Sequence, residues 1–210
     1  MSIETWLAFF AASCLISLSP GAGVISCMAA GLRFGLARAM WNIFGLIVGI
    51  MFVLLIVAAG LGALLAASTV AFTVVKWLGV AYLVWLGVAQ WRAAANAMDA
   101  ASADADLSGT RRQLLLRGFL VNATNPKGIV FMLAVLPQFI DTARPQLPQY
   151  LICAATLVVT DLVTMTAYTA FAAKALRMLR EPRQIRLLNR TFGGLLVAMG
   201  ALLATFKRAV

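Results

Sequence analysis

Lys127 and Asp161 are ionisable residues that lie deep within apolar stretches of the sequence. Lys127 follows Arg117 by ten residues and Asp161 precedes Lys174 by thirteen, which is roughly 15 and 20 Å along a helix. A charge at the centre of a membrane costs at least about 2.5 kcal/mol, so each side chain should face an interior partner. We expect Asp161 to receive a substrate ammonium or a coupling proton and Lys127 to attract a carboxylate. A structural ion pair between the two residues is the alternative.

Two motifs that break helices lie at a similar depth: Ser19-Pro20-Gly21-Ala22-Gly23 and Asn125-Pro126-Lys127-Gly128. Because proline has no N–H and clashes with the preceding turn, each motif leaves backbone groups unpaired, which a membrane tolerates only against protein or a polar cavity. The half-helix after each proline then points free N–H groups inward, where a carboxylate binds well. A simple kink explains one such motif, but two at matching positions indicate a site. The predicted substrate-binding residues are Ser19, Pro20, Gly21, Gly23, Asn125, Pro126, Lys127 and Asp161.

The composition indicates what kind of molecule must position these residues. Of the 210 residues, 63% are hydrophobic and 11% are charged, whereas a soluble domain has roughly 45–50% and 25%. The chain is therefore predicted to be an integral membrane protein. Its net charge of +10 comes from basic residues at the ends of apolar runs, which favours contact with anionic membrane lipids over nucleic-acid binding.

The sequence also disfavours several kinds of chemistry. Histidine is absent, and the three cysteines are scattered through apolar segments. This pattern predicts neither a metal site nor a disulfide framework, and it suggests no cofactor. An intramembrane enzyme is disfavoured as well, because the sequence offers no nucleophile with a plausible base.

A helix needs roughly 20 residues to cross a hydrocarbon core about 30 Å thick, and on that criterion the sequence predicts six spans. Two of them come from dividing the uncharged run at residues 39–75 at the turn-like Ala67-Ser68-Thr69. The connections after spans one, three and five hold twelve Lys and Arg residues, against one in the other two connections, so the positive-inside rule places both termini outside the cytoplasm. The predicted spans are residues 6–31, 40–65, 70–91, 113–139, 147–173 and 191–206.

The two breaks divide the sequence into two similar halves, since the first and the fourth span each contain one. Three spans are an odd number, so two halves with the same fold insert with opposite orientation, as in many secondary transporters. The predicted fold is an all-α integral membrane protein whose six transmembrane helices form two inverted three-helix repeats with broken first and fourth helices. The first repeat comprises residues 1–92, a cytoplasmic linker residues 93–112, and the second repeat residues 113–210.

Two further segments are predicted to contact lipid or another helix. Residues 174–190 interleave basic and apolar residues around Pro182 and are expected to lie on the anionic inner surface of the membrane. Gly45 and Gly49 form a small-xxx-small motif, which predicts close helix packing within the chain or, as the alternative, in a homodimer.

Several motifs occur in an order that is more specific than any one of them. They are Ser19-Pro20-Gly21, the Gly-Leu-Arg-Phe-Gly of residues 31–35, the run from Lys76 to Gly87, and residues 118–127 followed by Leu136-Pro137-Gln138-Phe139. In these motifs the chain resembles the LysE/RhtB family of bacterial amino-acid exporters over nearly its whole length. The resemblance implies a six-helix, multi-pass protein of the bacterial inner (cytoplasmic) membrane that expels amino acids or close derivatives, with protons as the coupling ion.

The resemblance also implies substrate-site roles for the Ser19 to Gly21 and Asn125 to Lys127 motifs, whereas Asp161 is predicted from its depth. The chain departs from the family at Ala22 and Gly23, where a proline and a polar residue are usual, and this departure implies an altered substrate choice. The leading interpretation is a secondary exporter of a small zwitterionic amino acid. A passive channel, insensitive to collapse of the proton gradient, and a non-transporting membrane assembly protein are the alternatives.

Overall fold

The structure, a computed structural model, describes residues 1–67, 69–92, 109–175 and 182–205. These residues form α-helices and one 3-10 helix, with no strand among them. The 3-10 helix, Leu136–Phe139, lies between α5 and α6. The helices are α1 (Ile3–Leu18), α2 (Ala22–Ala67), α3 (Thr69–Arg92), α4 (Arg111–Ala123), α5 (Pro126–Ala134), α6 (Gln146–Ala175) and α7 (Pro182–Thr205).

Both predicted helix breaks are present. α1 ends at Leu18 and α2 begins at Ala22, so the first break consists of the three residues from Ser19 to Gly21. In the second half, α4 ends at Ala123 and α5 begins at Pro126, and the two helices are bent by 51°. The cause is the same in both places, since proline cannot continue the hydrogen-bond pattern of the preceding helix. The predicted division between the second and third spans falls at residue 68, which lies outside the described residues, and it stays a prediction.

α2 contains two helical segments that meet at Gly35, whose φ of 73° and ψ of 167° suit glycine. Ser26 donates a hydrogen bond to Asn42 at 3.2 Å, and a Cβ on Gly23 would lie 3.6 Å from Leu46. In each contact the two residues lie at similar sequence distances before and after Gly35. The two segments therefore run antiparallel and form a helical hairpin. The turn lies within the predicted connection between the first two spans, residues 32–39, and the residues on either side of Gly35 are helical.

The described residues have the surface of a membrane protein. By length and composition, Ala22–Gly60, which includes the turn at Gly35, and Gln146–Ala172 can each supply a membrane crossing, and the bent α4–α5 pair is a third candidate when it is counted as one span. Leu55, Trp85 and Val163 are each more than half exposed, as expected of side chains that face lipid. The chain is thus an all-helical membrane protein, whereas the number of six spans and the inverted repeat stay predictions.

α2 lies at the centre of the bundle, where it packs along α4 and α6, while α3 packs along α7. Glycines allow the closest of these crossings. A Cβ on Gly118 would lie 2.1 Å from the carbonyl oxygen of Asn42, and a Cβ on Gly45 would lie 2.0 Å from that of Leu115. The predicted small-xxx-small motif therefore packs α2 against α4 within the chain.

Two predicted boundaries shift. α4 begins at Arg111, so the last two residues of the predicted linker are helical, and residues 93–108 lie outside the described residues. α7 is described from Pro182, a residue that the first turn of a helix accommodates because no N–H is needed there. The C-terminal part of the predicted surface segment is therefore the start of α7, and residues 176–181 are again outside the described residues.

Candidate functional site

The broken end of α1 exposes backbone carbonyls. Pro20 cannot supply the N–H that an unbroken helix would donate to the carbonyl of Ile16. The ammonium of Lys127, on the first turn of α5, takes its place: Nζ donates to the Ile16 oxygen at 2.9 Å and to the Ser19 oxygen at 2.6 Å. The negative end of the α1 dipole favours a cation at this position. Lys127 therefore ties α5 to the break in α1.

Tyr168 of α6 contributes a third hydrogen bond to the same helix end. Its phenolic O–H donates to the carbonyl oxygen of Leu18 at 2.7 Å. Leu18 is the last residue of α1, and the N–H that would pair with its carbonyl in an unbroken helix belongs to Ala22, the first residue of α2. Three carbonyls at the break thus accept hydrogen bonds from side chains in the second half of the sequence.

Asp161 faces the same region from α6. Its side chain is 8% exposed, and the hydroxyl of Ser17 donates a hydrogen bond to its Oδ1. Within the described part of the chain, no ion pair of 4.0 Å or less joins Asp161 to Lys127, so the structural ion pair that was the alternative is absent. The two residues instead line one cavity. Separated charges of opposite sign in a buried cavity can bind the two ends of a zwitterion.

The cavity has a volume of about 40 Å³. A water molecule needs roughly 10–15 Å³ on this measure, so the cavity has room for about three waters but not for an amino acid. Polar and apolar side chains share the wall, among them Ser17, Asn122, Asp161, Met132, Leu157 and Met165.

A chain of amide hydrogen bonds positions α5, which carries Lys127. The Asn125 side chain accepts from the Lys127 N–H at 3.1 Å, and Pro126 takes the first helical position, where its missing N–H costs nothing. Asn125 also donates to the side-chain oxygen of Asn122 at 3.5 Å, and Asn122 donates to the Leu46 carbonyl at 2.7 Å. The start of α5 is thereby fixed against α2.

The structure brings half of the eight predicted site residues to the cavity wall, namely Gly23, Asn125, Lys127 and Asp161. Ser19 and Gly21 contact the lysine instead: Ser19 accepts through its carbonyl, and a Cβ on Gly21 would lie 3.2 Å from Nζ. Pro20 and Pro126 are absent from the wall and act by breaking the helices that bound the cavity. Substrate contact by any of the eight stays a prediction.

Sequence reasoning missed Ser17 and Tyr168. Ser17 lies four residues after Ser13, so the two share a face of α1, and a polar stripe in an apolar helix is a detectable signal. Tyr168 lies seven residues after Asp161 and hence on the same face of α6. Nothing in a single sequence, however, links Ser17 with Asp161, because they are 144 residues apart.

Comparisons with known proteins agree on one family. The family model described as LysE type translocator matches residues 14–206. The chain is similar to the homoserine/homoserine lactone efflux protein of Salmonella typhimurium, with 43% identity over 209 residues that cover all of both chains. It is also similar to an uncharacterized membrane protein of Vibrio cholerae, with 41% identity over 207 residues, which is 99% of this chain and all of the relative.

A more distant relative is the leucine efflux protein of Enterobacter sp. strain 638, with 29% identity over 193 residues, 90% of each chain. No solved structure is significantly similar to the chain. The matched family is one of translocators, and the two relatives with a named activity are efflux proteins, so the chain is a membrane transporter and not an enzyme. The resemblance in the ordered motifs is thereby confirmed, and the chain belongs to the LysE type translocator family.

Proposed function

We propose that this protein exports a small amino acid with an uncharged side chain, or a close derivative, across the bacterial inner membrane in exchange for protons. The observation that carries the proposal is the buried carboxylate of Asp161, held by Ser17 in the cavity that Lys127 also lines. A buried carboxylate in a membrane is costly, and a role as ligand of an ammonium or as carrier of a proton explains its presence. The substrate class follows from two relatives, one named for homoserine and homoserine lactone efflux and the other for leucine efflux.

Each end of the substrate has a partner in this proposal. Asp161 binds the substrate ammonium in one part of the cycle and a proton in the other. Lys127 uses two of its three N–H groups on carbonyls, and the third meets the substrate carboxylate together with the N-terminus of α5. Met132, Leu157 and Met165 offer an apolar wall to an uncharged side chain.

In the proposed transport cycle, the two inverted halves of the protein move relative to each other and expose the central site to one side of the membrane at a time. Gly87 and Gly193 each lie 67 residues after the proline of their own half, and a Cβ on either would lie within 2.6 Å of the other's carbonyl oxygen. The neighbouring contacts match as well: Gly87 meets the backbone N of Val197 and Gly193 that of Trp91, and both partners lie 71 residues after their proline. Equivalent residues that meet each other are expected on a two-fold axis. This pattern supports the inverted repeat, with α3 and α7 crossing on the axis.

The test is efflux of a preloaded panel of amino acids from cells that express the native chain, Lys127→Ala or Asp161→Asn, with and without a protonophore. Asp141→Asn is the matched control, because Asp141 lies in an exposed loop, 3.2 Å from Arg144. We expect one class of uncharged amino acid to leave faster with the native chain and with Asp141→Asn. Both cavity substitutions and the protonophore should abolish that gain.

The other outcomes separate the alternatives. A gain that survives the protonophore and does not saturate would indicate a passive channel. Efflux equal to that of cells without the protein, for the whole panel including homoserine lactone, would contradict the proposed substrates. A gain that Asp161→Asn leaves intact would remove Asp161 from the site.

A further inference from the structure

The carbonyl oxygens at the end of α1 form a cluster with the chemistry of a cation site. Those of Ile16 and Ser19 accept from one ammonium at 2.9 and 2.6 Å, and that of Leu18 accepts from Tyr168. Partial negative charge converges at the C-terminal end of a half-helix, and in other secondary transporters with broken helices such ends, with unwound carbonyls, coordinate sodium ions or protons. Here the charge that occupies the cluster belongs to the chain itself.

We propose that Lys127 is a tethered cation: its ammonium fills a monovalent-cation site formed by the carbonyls of the α1 break, so no sodium ion is needed there. Gly21 fits this role, because a Cβ at that position would lie 3.2 Å from Nζ and 3.3 Å from Cε and would crowd the ammonium. Asn125 fixes the first turn of α5 and so sets where the lysine starts. The proposed cation site rests on this geometry alone. Its consequence for transport, that Asp161 and not a bound sodium ion couples transport to an ion gradient, rests on the proposed function.

Removing the tethered charge should open the site to a free cation. We would purify the native protein and Lys127→Ala in detergent and measure thermal unfolding in NaCl, KCl or methylammonium chloride, each against N-methylglucamine chloride at equal ionic strength. For Lys127→Ala, we expect saturable stabilisation by at least one small cation, with a rise in Tm of about 3–6 °C at ten times the dissociation constant. The native protein should show no such rise, because its site is full.

Arg144→Ala is the matched control for the loss of a positive charge. Its side chain is 67% exposed and pairs with Asp141 in a loop, so this variant should respond to the salts as the native protein does. A Lys127→Ala protein that folds but responds no more than Arg144→Ala would overturn the proposal and reduce Lys127 to a helix cap. An equal rise in the native protein would overturn it as well.

Lys127→Ala could also fail to fold in the reference salt. The readout is then recovery of folded, monodisperse protein after extraction in Na⁺, K⁺ or methylammonium: recovery supports the tethered cation, and failure in all three contradicts it. None of these readouts depends on transport. A negative efflux panel beside a cation-dependent Lys127→Ala would therefore remove only the proposed function, and the converse result would remove only the tethered cation.

Discussion

Lys127 illustrates how a residue's role depends on which end of a helix it meets. Its depth and the two proline motifs predicted an ammonium near half-helix N-termini, where both would attract a carboxylate. The structure also places Nζ against the C-terminal carbonyls of α1, at 2.9 Å from that of Ile16, so the ammonium meets both kinds of helix end. The sequence determines that Pro20 frees this carbonyl, but not that α5 docks beside it, because docking depends on contacts between distant helices.

Tyr168 allows the value of one of these hydrogen bonds to be measured. Tyr168→Phe removes the donor to the Leu18 carbonyl and should lower the free energy of unfolding by about 0.5–1.5 kcal/mol. For a chain of this size, 1 kcal/mol corresponds to a fall in Tm of roughly 2–4 °C, measured by thermal unfolding in detergent.

Tyr82→Phe is the matched control, because the buried Tyr82 hydroxyl has no hydrogen-bond partner among the described residues. Removing an unpaired buried hydroxyl should leave Tm unchanged or raise it. If both variants lose the same stability, the Tyr168 hydrogen bond contributes nothing specific and the third contact at the α1 break is unimportant.

At the scale of helices, the predictable features were those with a local cause. The breaks at Pro20 and Pro126 follow from a missing N–H in each proline. The turn at Gly35 lies in the predicted connection between the first two spans, residues 32–39, but the sequence did not show that this glycine alone would leave the helix, because its φ of 73° shows only in the fold. The pairing of Ser17 with Asp161 was missed for a similar reason, because it depends on how α1 packs on α6.

The contact between α2 and α4 leads to a prediction about stability. A Cβ on Gly118 would lie 2.1 Å from the Asn42 carbonyl oxygen, so Gly118→Ala must push the two helices apart. Overpacking of this kind costs about 1–3 kcal/mol, and the clash here is with backbone, which cannot rotate away. We expect a fall in Tm, or loss of folded protein, in detergent.

Gly60→Ala is the control on the same helix. No atom lies within 4 Å of a Cβ built there, and alanine favours a helix over glycine by about 1 kcal/mol. This variant should be as stable as the native protein or more so. If Gly118→Ala had the same Tm as Gly60→Ala, the α2–α4 crossing would be able to relax. The close backbone contact at Gly118 would then not be needed for stability.

At the scale of the whole molecule, the distribution of basic residues predicts which loops lie on which side of the membrane. Thr110 precedes α4 in the basic connection that is predicted to be cytoplasmic, while Thr142 lies in the loop before α6, which is predicted to be outside the cytoplasm. We would replace the native cysteines by alanine and introduce one cysteine at either position. A membrane-impermeant maleimide should label Thr142→Cys in intact cells, and Thr110→Cys only after permeabilisation.

Both positions are exposed, so failure to label cannot be due to burial. Labelling of Thr110→Cys alone in intact cells would invert the predicted topology. Labelling of both in intact cells would place the two loops on the same side of the membrane. The chain between them could then not cross the membrane an odd number of times, and the bent α4–α5 pair would not be a single span.

The ammonium held at the α1 break, facing one carboxylate across the cavity, also determines how the proposed exporter responds to membrane voltage. Lys127 and ionised Asp161 carry no net charge together, and a zwitterion adds none, so the loaded site would cross the electric field without work. Protonated Asp161 leaves one positive charge, worth about 2.3 kcal/mol per 100 mV. A negative interior would therefore pull the returning carrier inward, and export would continue even with equal pH on both sides of the membrane.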